Sequence, residues 1–192
     1  MPAPSRDATE FLRSRRSVPA KLLMPPVPDT AEVHQLLTAA ARCPDHGKLE
    51  PWRFVVLTEG AMPRLAALAQ DRAAALGLDA ERALKGRSQF DAGHLAVVVV
   101  ASPKASDKVP QVEQTLSAGA VCAALLNGAL AAGWGANWLT GWPAYDRRFV
   151  EDGLGLAPQE FVAGIIHIGT ARSLPPDRPR PDVAALTQWV RE

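Results

Sequence analysis

The hydrophobic and polar positions of this 192-residue chain alternate between short apolar runs and longer amphipathic stretches. The β-branched run at 95–101 is the clearest strand, and its continuous apolar character predicts that both of its faces are covered. Apolar residues at helical spacing predict the helices. Strands are predicted near 52–57, 95–101, 136–140 and 161–168, and helices near 7–14, 29–42, 62–84 with a break at Gly77, 112–132, 143–149 and 182–191. This alternation indicates an α/β or α+β layered fold with a central sheet.

Acidic capping residues mark three of the helix starts. Asp7 with Glu10, and Asp29 with Glu32, have the spacing of capping boxes. Asp182 is the predicted N-cap of a terminal amphipathic helix. The apolar positions of that helix are Val183, Leu186, Trp189 and Val190.

Composition limits the classes of function. A hydrophobic content of 47% in 192 residues is enough for the core of a single domain over 1–192. Because 21 basic residues face 20 acidic ones, neither nucleic acid nor a membrane surface is an expected partner. The apolar part of the predicted helix 112–132, from 118 to 132, is interrupted by Asn127 and is short for a bilayer span. It therefore needs to be enclosed, and a dimer partner is a natural cover.

Cysteine and histidine usage points to a reducing compartment and no metal. The two cysteines, Cys43 and Cys122, form no C-x-x-C pair, and the N-terminus lacks the apolar region of a signal peptide, which favours the cytoplasm. The four histidines have no close Cys, His or Glu spacing, so we expect no metal site. His167 lies between isoleucines and is interpreted as a core or edge residue rather than a catalytic one.

The segment 42–54, which we call the 42–54 loop, holds the densest chemistry. It joins a predicted helix to a predicted strand and contains two prolines, a glycine and six charged or histidine side chains. Such a density is typical of ligand contact, although an ordinary polar connection has a similar composition.

Two other segments can contact a ligand. Arg15, Arg16 and Ser17 follow the end of the first predicted helix, where two guanidiniums and a hydroxyl can surround a phosphate or simply be solvated. The segment 133–142 combines glycines with three tryptophans, which either fill core and interface or contact an aromatic ligand.

These segments together resemble the nitroreductase family, flavoenzymes that carry one FMN per subunit at a dimer interface. Pro44 and the run Glu50-Pro51-Trp52-Arg53-Phe54 look like the flavin loop of that family, and Arg15-Arg16-Ser17 stands at its Arg-x-Ser phosphate signature. Pro44-Asp45-His46 is similar to the Pro-Asp-His of the minimal YdjA-type members. The matches occur in order along nearly the whole chain. The resemblance implies a homodimer of the nitroreductase-like α+β fold, a mixed central sheet wrapped by helices.

The resemblance also implies roles for individual residues. Arg15 and Ser17 would bind the FMN phosphate, and Arg178 or Arg180 would complete its cage. Arg16, Lys48 or Lys21 would stand near the N1 and O2 edge of the flavin. The implied cofactor contacts are Arg15, Arg16, Ser17, Arg42, Pro44, Asp45, His46, Lys48, Trp138, Leu139, Thr140, Arg178 and Arg180. The implied dinucleotide contacts are Gly128, Ala129, Leu130, Ala131, Ala132 and Gly133.

Three of these implied contacts, Arg42, His46 and Leu139, differ from the rest. Arg42 and His46 would reach FMN from the partner subunit. Leu139 replaces the arginine of the family's Trp-Arg-Ser, so the resemblance provides no polar contact from that side chain.

The function implied is hydride transfer from NAD(P)H through FMN to a nitroaromatic, a quinone or a similar small acceptor by a ping-pong course. The flavin supplies the chemistry, so no catalytic triad or carboxylate pair is required. Other readings stay open at this point. They are a flavin-cleaving cobalamin-ligand synthase, an iodotyrosine dehalogenase, a flavin-carrying or flavin-sensing protein without turnover, and a colourless helical interaction module.

Overall fold

The computed structural model describes residues 5–191. Its helices are α1 (Arg6–Ser14), α2 (Thr30–Ala40), α3 (Met62–Ala75), α4 (Ala80–Asp91), α5 (Gln111–Ala131) and α6 (Arg147–Leu154). Its strands are β1 (Leu23–Met24), β2 (Trp52–Thr58), β3 (Leu95–Ala101), β4 (Gly135–Leu139) and β5 (Phe161–Ala171). Short 3-10 turns occur at Ala20–Leu22, His46–Lys48, Glu59–Ala61 and Trp142–Ala144.

The sheet is organised around β5, its longest strand. One edge of β5 pairs with β3, which in turn pairs with β2. The other edge pairs first with β4, from Leu139 opposite Ile165 to Gly135 opposite Gly169, and then with β1. Each of these pairings is antiparallel. Helices and sheet together confirm the predicted α+β class.

Helices cover both faces of the sheet, as the apolar run of β3 predicts. Ala96, Val98 and Val100 pack in a core with residues of α3, α4 and α6. Leu95, Val97 and Val99 point the other way into a core with α2 and α5. Every residue of β3 is buried, which is the reason that a continuous run replaces the alternation of a half-exposed strand.

The capping predictions have different outcomes. At α2 the Glu32 N–H donates to Asp29 Oδ1 at 2.9 Å and the Asp29 N–H donates to Glu32 Oε2 at 2.9 Å, which confirms that capping box. At α1 the prediction is wrong, because the Ala8 N–H donates to Ser5 Oγ at 3.3 Å and Asp7 already lies inside the first turn. Serine is a preferred N-cap residue, and the Ser5 hydroxyl accepts from the N–H of Ala8, three residues farther along the chain.

Two helix boundaries differ from the sequence prediction, whereas the predicted break at Gly77 is confirmed. Helix α4 restarts behind Asp79, whose carboxylate accepts from the Arg82 N–H at 2.8 Å, and it runs to Asp91 instead of ending near 84. The helix predicted over 143–149 instead forms a 3-10 turn at Trp142–Ala144 and then α6 at Arg147–Leu154. Gly155 ends α6 with φ +68°, a left-handed conformation that glycine adopts without strain.

The predicted terminal helix over 182–191 is wrong. The chain forms only a turn, in which the Leu186 N–H donates to Val183 O at 3.2 Å. Its apolar residues are exposed, with Trp189 at 78%. A short amphipathic helix needs burial of its apolar face, and within residues 5–191 these side chains are not covered.

Helix α5 is apolar on nearly all sides, but one side is not covered. Its length and composition would suit a membrane span, a property that it shares with core helices of globular proteins. Its inner side packs against the sheet and α2. On the outer side Val112 and Leu116 are exposed, and a Cβ built on Gly119 would meet no atom within 4 Å. The enclosure expected for this helix is therefore incomplete within one chain.

Candidate cofactor and active site

Arg15 and Ser17 lie together just after α1. The Arg15 N–H donates to Phe11 O at 2.8 Å as α1 ends, and Arg15 Nη2 donates to Ser17 Oγ at 2.8 Å. Arg15 Nε is buried and has no hydrogen-bond partner among residues 5–191. A buried donor without a partner is costly, so the guanidinium is suited to receive an external acceptor.

Four guanidiniums share this region, and we call Arg15, Arg16, Arg178 and Arg180 the arginine cluster. Burial lowers the pKa of Arg15, and the positive charges of Arg180, Arg16 and Arg178 lower it further. A bound anion would offset this repulsion. A phosphate supplies both the negative charge and the acceptor oxygens for this purpose.

The C-terminal tail is held against the start of the chain at the arginine cluster. Arg16 Nε donates to Pro176 O at 3.2 Å. The neighbouring Asp177 accepts from Arg180 Nη2 at 2.7 Å, and within residues 5–191 it is the one carboxylate within 4 Å of any of these four guanidiniums. The net charge of the region therefore remains positive.

The segment 15–18 is attached to β4. The Val18 N–H donates to Ala136 O at 2.9 Å, and Asn137 Nδ2 donates to Val18 O at 2.9 Å. The structure thus brings two predicted segments together, since Arg15-Arg16-Ser17 adjoins the strand that leads to Trp138 and Thr140.

A cleft of about 300 Å³ lies beside Arg15 and Arg16. Leu130 and Gly133 line it together with Trp134. The other residues of the predicted dinucleotide segment do not line this cleft and differ in their burial. Ala129 is fully buried in the core, Gly128 is partly buried, and Ala131 and Ala132 are exposed beyond the cleft lining.

A larger cleft of about 580 Å³ lies between β4 and α4, and we call it the lysine cleft. On one side it is lined by Lys21 and residues 138–141, and on the other by Lys85, Ser88 and Gln89. The predicted contacts Trp138, Leu139 and Thr140 line it. Lys21, which also lines it, follows Arg15 by six positions in the sequence. The walls formed by Trp138 and Leu139 suit a planar aromatic ligand.

Trp138 is positioned by a glycine on the adjacent strand. A Cβ built on Gly164 would lie 2.2 Å from Trp138 Nε1, so the indole packs directly on the β5 backbone. The two residues are near neighbours across the sheet, since Trp138 pairs with Ile166. Any side chain at position 164 would displace the indole.

The 42–54 loop packs on the first half of α5. Ser117 Oγ donates to Pro44 O at 2.8 Å and accepts from Trp52 Nε1 at 3.2 Å. His46 Nδ1 lies 2.6 Å from Glu113 Oε2. These contacts join the loop to α5 at two points one turn apart.

The backbone of the 42–54 loop is strained. Lys48 and Glu50 have φ values of +54° and +48°, and Gly47 has +75°. The Glu50 N–H donates to Asp45 Oδ2 at 2.7 Å, which holds the turn. Non-glycine residues at positive φ cluster at functional sites, where surrounding contacts maintain them.

The 42–54 loop and the arginine cluster do not meet within one chain. His46 contacts α5 at Glu113, whereas the cleft beside Arg15 meets α5 at Leu130. These helix positions are separated by about 25 Å, at 1.5 Å of rise per residue. Lys48 lies in the distant loop, and of the three cations considered for the flavin edge only Lys21 lines the lysine cleft.

Sequence reasoning missed the residues that support these groups. Glu113 and Ser117 contact the 42–54 loop across 65 or more positions, and Gly164 supports Trp138 from another strand. Lys85 occurs in a polar helix and carries no motif. Only the spacing of Glu113 and Ser117, one helical turn apart, indicates that they share a face.

His167 is a core residue, as predicted. It is 2% exposed, and burial lowers its pKa to about 4. It therefore lines none of the clefts described above.

Comparison with known proteins identifies the family. The model of the Nitroreductase family matches residues 12–170. This chain belongs to the nitroreductase family. The Escherichia coli K12 protein YdjA, named for an inferred NAD(P)H nitroreductase activity, is 33% identical over 164 residues, which cover 85% of this chain and 88% of YdjA. A Haemophilus influenzae protein named for the same inferred activity is 31% identical over 166 residues, with the same two coverages.

Solved structures show the same nitroreductase fold. A nitroreductase-like family protein from Bacillus cereus superimposes with a TM-score of 0.80 at 21% identity, over 99% of this chain and 98% of that one. A nitroreductase-type protein from Desulfovibrio desulfuricans, solved in complex with FMN, gives 0.74 at 18% identity, over 98% and 100%. The family match confirms the prediction of an oxidoreductase enzyme.

Proposed function

We propose that this nitroreductase-family protein binds FMN and transfers electrons from NAD(P)H to nitroaromatic or quinone acceptors, as a homodimer. The observation that carries the proposal is the arginine cluster, which is attached through Val18 to the strand bearing Trp138. Bound FMN would accept a hydride from NAD(P)H and pass the electrons to a second substrate. The protein residues bind, orient and shield.

The phosphate of FMN is assigned to the arginine cluster. Arg15 offers the unpaired Nε, and Ser17 offers its hydroxyl beside the same guanidinium. Arg178 and Arg180 add positive charge from the tail, which Arg16 holds in place. Charge-assisted hydrogen bonds of this kind are roughly twice as strong as neutral ones.

The flavin ring is assigned to the β4 side of the lysine cleft. Trp138 and Leu139 provide apolar surface there, and Thr140 provides a hydroxyl. Lys21 is the ammonium on that side, where it would stabilise negative charge on the bound cofactor. Lys21 therefore replaces Lys48 as the lysine that we assign to this subunit's own flavin.

A second subunit would complete the site. The exposed side of α5 carries Val112, Leu116 and the open position at Gly119, while Asn127 Oδ1 is buried without a hydrogen-bond partner among residues 5–191. Packing α5 against its copy would cover this surface. A two-fold arrangement can carry the 42–54 loop of one subunit to the arginine cluster of the other, which its own chain keeps about 25 Å away.

The overall reaction balances without further reagents. NAD(P)H provides a hydride and solvent provides a proton, so a quinone becomes a hydroquinone, or a nitro group becomes a nitroso group with loss of water.

The unpaired Cys43 and Cys122 suit the cytoplasm, where we propose that the protein acts.

Steady-state kinetics with menadione and NAD(P)H test this proposal. We expect one FMN per subunit and parallel double-reciprocal lines, because the donor must leave before the acceptor binds. Intersecting lines would contradict the shared site. A protein that retains FMN but catalyses no acceptor-dependent oxidation of NADH or NADPH would contradict the enzyme function.

A further inference from the structure

The two sides of the lysine cleft have different tasks. The β4 side is assigned to the flavin ring, and none of the α4 residues that face it is assigned to the cofactor. If the proposed function is correct, an acceptor that stacks on the ring must lie against α4. Lys85, Ser88 and Gln89 then determine which acceptors bind.

This side of the cleft is held in a fixed position. A Cβ built on Gly86 would lie 2.0 Å from Trp142 Nε1, and that indole donates to Arg82 O at 2.9 Å. Gln89 Nε2 lies 3.4 Å from Thr140 O, so α4 also contacts the end of β4. Lys85, directly before Gly86, is therefore presented by a helix that contacts the segment 140–142 at two points about one turn apart.

The lysine cleft is positive and otherwise mainly apolar. Lys21 and Lys85 line it, and no aspartate or glutamate does. Within residues 5–191 neither ammonium has a carboxylate oxygen within 4 Å. Lys21 is already assigned to the cofactor, whereas the Lys85 ammonium has no ion-pair partner among the described residues.

We propose that Lys85 selects planar aromatic acceptors that carry an anionic substituent, such as a carboxylate or a sulfonate. The aromatic ring lies on the flavin, and the anion accepts from the Lys85 ammonium with the Ser88 hydroxyl one turn farther along the helix. A lysine is a compact point charge, so it tolerates anions of different shape.

The test compares 4-nitrobenzoate with 4-nitrobenzamide, its neutral analogue. In Lys85→Met the ratio of kcat/KM for the carboxylate to that for the amide should fall about fivefold, the upper range for an exposed ion pair. Lys85→Arg should restore the ratio. Lys108→Met removes an exposed lysine outside the cleft and should leave the ratio at its wild-type value. Salt that shortens the Debye length to about 3 Å should lower the wild-type ratio towards that of Lys85→Met.

A binding measurement separates this inference from the proposed function. Calorimetry of benzoate and benzamide with the FMN-loaded protein needs no turnover, and Lys85→Met should weaken benzoate about fivefold relative to benzamide. An unchanged ratio in both measurements would overturn the role of Lys85. If the wild-type protein reduced neither nitro compound, the proposed function would fail, and benzoate binding would still decide the role of Lys85.

Discussion

The guanidinium of Arg15 and the hydroxyl of Ser17 are joined by a hydrogen bond of 2.8 Å, from Nη2 to Oγ. Two residues apart in an extended segment, they point the same way, and Ser17 fixes the plane of the guanidinium. The remaining donor, Nε, is buried without a partner among the described residues. This arrangement is preorganised for an anion and pays little rotamer entropy on binding.

Replacement of Arg15 by Ala should weaken FMN binding about 10- to 100-fold, the worth of one or two hydrogen bonds to a charged group. Arg13→Ala, on the exposed last turn of α1, is the matched control and should bind FMN as the wild type does. Quenching of flavin fluorescence during titration of the apoprotein measures both constants. Equal affinities of the two variants would remove Arg15 from the site.

Cross-subunit completion of the site can be tested with a mixed dimer of Arg15→Ala and His46→Ala chains. If Arg15 and His46 of different subunits share a site, the mixed dimer has one intact site and one doubly altered site. Half of the FMN sites of the mixed dimer should then bind FMN with wild-type affinity. If both residues served the same subunit's site, each site would carry one change and no wild-type component would be observed.

The exposed side of α5 should form the dimer interface. Leu116→Glu places a charge on that surface and should weaken the dimer by about 2 kcal/mol or more. Leu116 is 68% exposed in the single chain, and Leu84 on α4 is 63% exposed, so Leu84→Glu is a matched control. Sedimentation equilibrium distinguishes them. A Leu116→Glu protein that stays as dimeric as Leu84→Glu would move the interface elsewhere.

Gly164 should be required for the position of Trp138. Gly164→Ala inserts a Cβ where the indole lies and should cost about 1–3 kcal/mol, because the ring must move outward. We expect a red-shifted tryptophan emission and weaker FMN binding. Gly60→Ala adds a methyl group where no atom lies within 4 Å and should change neither. An unaltered emission and FMN affinity in Gly164→Ala would show that Trp138 is not packed on β5 as described.

His167 should make stability depend on pH. Burial lowers its pKa from 6.5 to about 4, so between these values the unfolded chain binds the proton and the folded chain does not. Stability is therefore complete above pH 6.5 and is lost as the pH falls, by about 2 kcal/mol near pH 5. Urea unfolding of the wild type and of His167→Leu, each above pH 6.5 and at pH 5, measures the loss of unfolding free energy between the two conditions. An equal loss in the variant would assign it to other groups.

The strands and the core helices could be predicted because their patterns are local. The run Leu95–Ala101 and the capping box at Asp29 each specify their element without distant help. The terminal segment failed for the opposite reason, since Trp189 and its apolar neighbours need a surface outside this chain's core. Strand β1, only two residues long, exists because β5 pairs with it, and its own sequence carries no strand signal.

In the candidate site, too, some residues belong to local sequence motifs and others depend on distant contacts. Arg15, Ser17 and Trp138 belong to short ordered motifs, and a resemblance to known motifs identifies them. Their support comes from residues far along the chain, such as Gly164 beneath the indole and the tail that binds Arg16. No local pattern encodes these contacts, which arise only when the sheet assembles.

The anaerobic visible spectrum of the purified protein, before and after addition of NADH or NADPH, shows whether the protein holds a flavin that a nicotinamide nucleotide reduces. We predict a flavin spectrum that one of the two nucleotides bleaches, and that recovers its oxidised form when menadione is added without oxygen. A protein that does not take up FMN, or whose bound flavin stays oxidised with both nucleotides, would contradict this prediction.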